Sequence, residues 1–189
     1  MGIDDTKKAM DDIKVIKESI ALAKGVRSGM FSFFFILWGA IYLIGFSGSQ
    51  FLTNVLSGKL WLILSIVGII SNFVGAFFLG SKSVGKTGIR IMLFWIMLII
   101  YVCMWIFAMG GLDYRLLSFF LITTAMFGYV VMGLWFDMRI VFSALVVTGL
   151  AVISFLFIPS LSALIMGILG GGTMIFSGIY LARLGKAEA

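Results

Sequence analysis

The chain consists mainly of long apolar stretches separated by short polar links. Six stretches approach the ~20 mostly apolar residues that an α-helix needs to cross a bilayer. None of them contains Asp, Glu, Lys or Arg, and a charge at the centre of a spanning helix costs about 2.5–3.5 kcal/mol. The pattern therefore predicts six transmembrane helices: Met30–Phe46, Leu60–Leu79, Ile91–Met109, Leu116–Phe136, Ile140–Ile158 and Leu161–Leu181.

The polar links between these stretches predict helical hairpins. Three links are short: Gly110–Arg115, Asp137–Arg139 and the Pro159-Ser160 pair. Short links require neighbouring helices to be antiparallel. Two links are longer, Ser47–Lys59 and Gly80–Arg90.

A different pattern precedes the first apolar stretch. Small and apolar residues recur there with helical spacing and form one stripe, which consists of Ala9, Ile13, Ile16, Ile20 and Ala23. This spacing predicts an amphipathic helix within residues 1–29. We expect that helix to lie on the membrane surface or against the bundle, and self-association or binding of another protein are the alternatives.

Composition supports a lipid environment over water. Hydrophobic residues make up 62% of the 189 residues and charged residues 12%, with a mean hydropathy of +1.19, whereas soluble domains are typically about 45–50% apolar and about 25% charged. We therefore predict an all-α integral membrane protein, a six-helix bundle preceded by the amphipathic helix. With one cysteine and no histidine, an intrachain disulfide and histidine-based catalysis or metal binding are excluded, and we expect no cofactor.

The distribution of positive charge predicts the orientation. If the N-terminus is cytoplasmic, twelve of the 14 Lys and Arg residues lie inside, and only Lys59 and Arg115 lie outside. Cytoplasmic loops carry such an excess of cations. Both termini, including a tail at residues 183–189, are then cytoplasmic. We expect a prokaryotic cytoplasmic membrane, and we attribute the net charge of +6 to topology rather than to a nucleic-acid partner.

One segment matches a nucleotide-binding motif by spacing alone. Residues Gly80–Thr87 read Gly-Ser-Lys-Ser-Val-Gly-Lys-Thr, the phosphate-loop pattern, which requires a preceding buried strand in an α/β domain. Here two predicted spanning helices flank the segment, so we expect no nucleotide partner. We expect Lys82, Lys86 and Arg90 to set the topology and to contact anionic lipid headgroups, which clustered cytoplasmic cations attract.

Small residues inside the predicted spans indicate close helix packing. They recur mostly at spacings of four or seven residues on the second and sixth helices, as Gly68, Ala76, Gly80, Gly167, Gly171 and Gly178. Small residues allow helix backbones to approach closely in lipid. We expect packing within the chain, with homo-oligomer contacts as the alternative.

A few polar and aromatic side chains are candidates for other roles. Asn72 is the most polar side chain at membrane depth, and it either hydrogen-bonds another helix or lines a solute site. Thr123, Thr124 and Tyr129 are weaker candidates for such a site. Most Trp and Tyr residues lie toward span ends, as is typical of interfacial aromatic belts.

These observations leave three classes of function open. We favour an accessory, assembly or regulatory membrane component without catalytic activity, whose partners are the bilayer and another membrane protein. The first alternative is a small oligomeric transporter or channel. Its solute would be neutral or lipophilic, because ion-coupled transport usually needs a buried ionisable residue and the six stretches contain no Asp, Glu, Lys or Arg. The second is a lipid-modifying enzyme. Its acid or base would have to come from Asp113, Asp137 or residues near them, and these two aspartates are predicted on opposite sides of the membrane, so they cannot share one site.

Overall fold

The computed structural model describes Ile13 and residues 29–80, 86–110 and 113–187, with the side chains of 29–75, 90–110 and 113–184. These ranges are helical, contain no strand and include six helices long and apolar enough to cross a membrane. The predicted all-α bundle is confirmed. Apart from Ile13, the predicted N-terminal helix lies outside the described residues. The helices are α1 Gly29–Ser49, α2 Asn54–Gly80, α3 Lys86–Ala108, α4 Tyr114–Phe136, α5 Met138–Phe157 and α6 Pro159–Leu184.

Several helices are longer than the apolar stretches that predict them. α1 continues to Ser49 and α2 begins at Asn54, so most of the predicted link between them is helical. The helix that ends α6 continues to Ala187. Backbone hydrogen bonding and not apolarity defines a helix end, so helices extend into flanking polar residues that hydropathy leaves out.

Two aspartates fix the ends of α4 and α5. The Asp113 carboxylate accepts a hydrogen bond from the Leu116 backbone N–H at 2.8 Å, and the Asp137 carboxylate accepts one from the Arg139 backbone N–H at 2.9 Å. A carboxylate at a helix N-terminus satisfies an otherwise unpaired backbone donor. Asp137 alone separates α4 from α5, which makes the two helices a tight antiparallel pair.

α6 changes its winding along its length. It begins with a 3₁₀ turn at Pro159–Leu161, continues as an α-helical turn at Ser162–Ile165, and widens to a π-helix at Met166–Gly171. Regular α-helix resumes at Gly172. Proline suits the first turn because its missing N–H is not needed there. The π-helix is rare and marks a local departure from regular packing.

α1 lies at the centre of the bundle. Its Phe35 ring packs against Tyr129 of α4 with centroids 4.8 Å apart, and its Phe31 ring packs against Phe136 of α4 at 5.2 Å. α2 and α6 approach other faces of α1 at glycines. The buried core residues that α1 contributes are Phe31, Ser32, Phe35, Ile41, Tyr42 and Phe46.

Antiparallel succession gives the bundle two distinct ends. The first is called the Tyr114 end, where the starts of α2, α4 and α6 meet the end of α1: Trp61 hydrogen-bonds Tyr114, and Gln50 hydrogen-bonds Ser160. The opposite one is the Arg139 end, where the link at Asp137 lies near Phe31 of α1 through Phe136.

Candidate functional site

Backbones of α1 and α6 touch at glycines. A methyl group built on Gly171 would lie 2.7 Å from the Gly39 carbonyl oxygen and 2.8 Å from the Leu43 amide nitrogen. Conversely, a methyl group on Gly39 would lie 2.9 Å from the Gly171 carbonyl oxygen. Because the opposing atoms are backbone, neither helix can yield by a side-chain rotation. The sixth-helix glycine at 171 therefore sits where only hydrogen fits.

Two more α6 glycines continue this contact along α1. A methyl group on Gly178 would lie 2.7 Å from the Ile36 side chain and 2.9 Å from the Ser32 carbonyl oxygen, and one on Gly167 would collide with Ser47. The three sequence-predicted glycines of α6 thus all face α1 over about three helical turns. Such close approach supplies van der Waals contact where lipid gives little hydrophobic drive for association.

α2 meets α1 differently, with large side chains covering small residues. A methyl group on Gly68 would lie 2.8 Å from the Ile41 side chain, and one on Gly75 would overlap the Phe33 ring. Large α1 side chains thus rest on the flat backbone of α2. The side chains of Ala76 and Gly80, the other predicted packing positions of α2, lie outside the described part of the chain.

A polar cluster joins three helices at the Tyr114 end. The Tyr114 hydroxyl of α4 donates to Ser49 Oγ of α1 at 2.8 Å. The indole N–H of Trp61 in α2 lies 3.1 Å from Ser49 Oγ and 3.2 Å from the Tyr114 hydroxyl. Ser49 in turn donates to the Gly45 carbonyl at 2.7 Å. The Tyr114, Ser49 and Trp61 hydrogens are all donated in hydrogen bonds, so the cluster positions the three helices.

Gln50 ties the same end of α1 to α6. Its amide nitrogen donates to the Ser160 carbonyl at 2.9 Å, and its amide oxygen accepts from the Leu164 backbone N–H at 3.3 Å. The first backbone N–H groups of a helix have no partner inside the helix. Gln50 therefore caps α6 from a distance of 114 residues in the chain.

Arg115 anchors α4 to α5 nearby. Its guanidinium donates to the Phe155 carbonyl and lies 4.4 Å from the centroid of the Phe155 ring. That ring stacks on Phe119 with centroids 4.4 Å apart. A cation over an aromatic face is attracted by the ring quadrupole, so this cation has a structural role between neighbouring helices.

A groove of about 480 Å³ opens between α5 and α6. Its walls are mainly apolar and include Phe142 and Val146 of α5 and Thr173 and Phe176 of α6. Arg139 lies at the Arg139 end of the groove, and half of its side chain is exposed. The groove thus combines one exposed cation with a long apolar trough.

A second groove of about 400 Å³ lies between α3 and α4. Aromatic and aliphatic side chains line it, among them Phe94, Tyr101, Trp105 and Phe127. Thr124 is also part of the lining. None of the residues described as lining it is charged, in contrast to the α5–α6 groove.

The structure does not bring the predicted polar residues together. Tyr129 is buried, its ring packing on Phe35 and on Trp95 of α3 with centroids 4.8 and 5.3 Å away. Thr123 donates to the Phe119 carbonyl of its own helix at 2.9 Å, and Thr124 belongs to the α3–α4 groove.

Asn72 lies on α2, between the two glycines that face α1. Its Oδ1 atom is buried and accepts no hydrogen bond from any residue that the structure describes. α1 separates it from Tyr129, because Phe33 of α1 points to α2 and Phe35 points to α4.

The predicted headgroup contacts fall only partly within the described residues. Arg90 is exposed near the start of α3, whereas the side chains of Lys82 and Lys86 lie outside the described part. Residue types alone did not single out the Ser49–Trp61–Tyr114 cluster or Arg139. The alternation of antiparallel helices shows which links lie at the same end of the bundle, and this signal in the sequence could have pointed to the cluster and to Arg139. No protein family, curated protein sequence or solved structure matches this chain.

Proposed function

We propose that the protein is a non-catalytic membrane component that binds a second membrane protein through α3. The observation that carries this proposal is the uneven burial of the helices. In the most apolar part of α1, 44% of the residues are buried within the protein. In the corresponding part of α3, within Arg90–Ala108, no residue is buried. Helices associate in lipid through packing contacts, and α3 offers a large surface that the described residues of the chain leave free.

The free surface of α3 is its outer face, opposite α4. Trp95 and Leu98 pack against Gly128 of α4. A methyl group built on Gly128 would lie 3.0 Å from the Trp95 ring. About half a turn away, the outer face consists of exposed residues Met92, Ile96, Ile100, Cys103 and Phe107. Phe107 is 89% exposed. Large aromatic and sulfur-containing side chains of this kind are enriched in protein interfaces.

The carboxylates of the spanning region support a role without catalysis. Asp113 and Asp137 each cap a helix through a backbone N–H, and they lie at opposite ends of the bundle. In each case one carboxylate oxygen accepts the backbone N–H that a helix N-terminus leaves unpaired. The helical residues that precede Gly80 also differ from the strand that a phosphate loop requires.

The proposed orientation puts the Arg139 end on the cytoplasmic side of a prokaryotic membrane. Arg139 and Arg183 lie toward this end, whereas Lys59 and Arg115 lie toward the other, which follows the bias of cations to cytoplasmic loops. A reporter enzyme that is active only outside the cytoplasm should give a signal when it is fused after Lys59. A cytoplasmic signal at that position would reverse the assignment.

The single cysteine provides a direct test of the α3 interface. Cys103 lies on the outer face and is exposed, and a photoreactive amino acid incorporated genetically at this position can crosslink to its neighbours in native membranes. Illumination should yield one adduct with a different membrane protein, which also co-purifies in stoichiometric amount with the unlabelled chain. The matched control carries the same photoreactive amino acid at position 145, because Leu145 is 55% exposed on α5.

The outcomes separate the proposal from its alternatives. An adduct from position 103 and not from position 145 supports docking through α3. An adduct of twice the chain mass, together with solute flux in proteoliposomes, would contradict the accessory function and favour an oligomeric transporter. Equal adducts from both positions would show nonspecific neighbours, and the proposal would fail.

A further inference from the structure

The α5–α6 groove is cationic at one end and apolar along the rest of its length, which matches a phospholipid with its anionic headgroup and hydrocarbon chains. Arg139 is at one end, and Phe142, Val146, Thr173 and Phe176 follow deeper along the trough. The volume of about 480 Å³ is within the usual range for small-molecule and lipid-sized sites. We propose that the groove binds an anionic phospholipid, with one acyl chain in the trough and the phosphate at Arg139.

The guanidinium of Arg139 is available to a phosphate. It lies 5.9 Å from the centroid of the Tyr180 ring, which orients it along the groove. Among the described residues it has one ion-pair partner, Asp137, whose Oδ2 lies 3.9 Å from Nη1, and both side chains are partly exposed. Because Asp137 Oδ1 caps α5 and arginine has five N–H donors, the ion pair leaves donors for a bidentate phosphate contact.

The local charge favours an anionic lipid over a neutral one. Arg183 is exposed on α6, one helical turn beyond Tyr180. Among the described residues, two arginines and one aspartate therefore give this mouth a net positive charge. A cation near the membrane surface attracts an anionic headgroup by an amount worth about a fivefold preference per charge.

The groove floor suits hydrocarbon. Ser143 and Ser177 lie one turn below the mouth and are 2.8 Å apart at their hydroxyl oxygens. Ser143 also donates to the Arg139 carbonyl at 2.9 Å, so Ser177 supplies the hydrogen between the two serines. Both serine hydroxyl hydrogens are used within the protein, so neither serine leaves a donor that would require water.

The α3–α4 groove serves as an internal control for this site. It has a similar volume of about 400 Å³, and no charged side chain is among its described lining. If shape alone selected lipids, both grooves would bind the same species. If the Arg139 charge selects them, only the α5–α6 groove discriminates by headgroup.

The test uses the full chain, delipidated in detergent, and two lipids with identical acyl chains. Phosphatidylglycerol and phosphatidylcholine compete for the protein, and native mass spectrometry counts the bound molecules of each. Wild-type protein should prefer phosphatidylglycerol, and Arg139→Gln should lower that preference about fivefold. Lys59→Gln removes an exposed cation at the Tyr114 end, outside the groove, and should leave the preference unchanged.

A second pair of variants fills each groove without changing charge. Thr173→Trp should abolish the phosphatidylglycerol preference, and Thr124→Trp, which fills the α3–α4 groove, should keep it. Free glycerol phosphate should not displace the bound lipid, because it lacks the acyl chain. Retention of the preference in both Arg139→Gln and Thr173→Trp, or its loss only in Lys59→Gln, would overturn the groove assignment.

Discussion

α1 and α3 contrast most strongly among the six spanning helices. α3 is the more hydrophobic of the two, yet no residue in its most apolar part is buried inside the protein, whereas 44% of the residues in that part of α1 are. In a water-soluble protein the more hydrophobic helix would occupy the core. In lipid the surroundings are as apolar as the helix itself, so hydrophobicity does not decide which helix is central.

Small residues account for the difference. α1 contains Gly39, at which α6 approaches, and Gly45, whose missing side chain makes room for the Trp61 indole. Between Arg90 and Phe107, α3 has no Gly, Ala or Ser. A helix without small residues keeps neighbours at side-chain distance, while one with glycines at several faces can touch several helices. The central position of α1 thus follows from its glycines, which leave space for neighbouring helices to approach.

The largest contrast should come from removing a phenyl ring on each helix. Phe35 is 1% exposed and Phe107 is 89% exposed. Phe35→Ala should lower the free energy of unfolding by about 2–4 kcal/mol, less than in water-soluble cores because the unfolded reference also keeps the ring in lipid. Phe107→Ala should change it by less than about 0.5 kcal/mol. Reversible unfolding in mixed micelles measures both, and similar losses would mean that α3 is packed as tightly as α1.

Two adjacent glycines give the next contrast. A methyl group on Gly171 meets α1 backbone at 2.7 Å, whereas one on Gly172 meets nothing within 4 Å. Gly171→Ala should destabilise the protein by about 1–3 kcal/mol through overpacking. Gly172→Ala should leave stability unchanged or raise it by up to about 1 kcal/mol, because alanine restricts the unfolded chain. Equal effects would show that α1 and α6 can separate without loss.

The overall fold could be predicted from the sequence because each of the six apolar stretches contains no Asp, Glu, Lys or Arg. The six apolar stretches lead directly to the six helices. What the stretches could not give is their arrangement. α1 comes from the shortest stretch, which ends at Phe46, and hydropathy carries no information on its central place. The π-helix at Met166–Gly171 was equally hidden, because the glycines there predict packing within the chain or a homo-oligomer contact without indicating how the backbone is wound.

The site was less predictable because it depends on pairs of residues far apart in the chain. Trp61 and Tyr114, read singly, fit an interfacial belt, and only their shared end of the bundle brings both to Ser49. Conversely, Asn72 stood out by polarity, yet its amide oxygen has no partner among the described residues. Polarity at membrane depth marks a residue as unusual without telling what it contacts.

The smallest contrast concerns a single hydroxyl on each side of the comparison. Tyr114 hydrogen-bonds Ser49 of α1, and Tyr101 lies 61% exposed on α3. Tyr114→Phe should cost about 0.6 kcal/mol, the average for hydrogen bonds between membrane helices. The cost stays small because the Trp61 indole retains Ser49 Oγ at 3.1 Å as an acceptor. Tyr101→Phe should have no measurable effect in the same unfolding assay. A loss above about 1.7 kcal/mol for Tyr114→Phe would exceed what such a bond supplies, and would mean that the hydroxyl holds the ends of α1, α2 and α4 together as one unit.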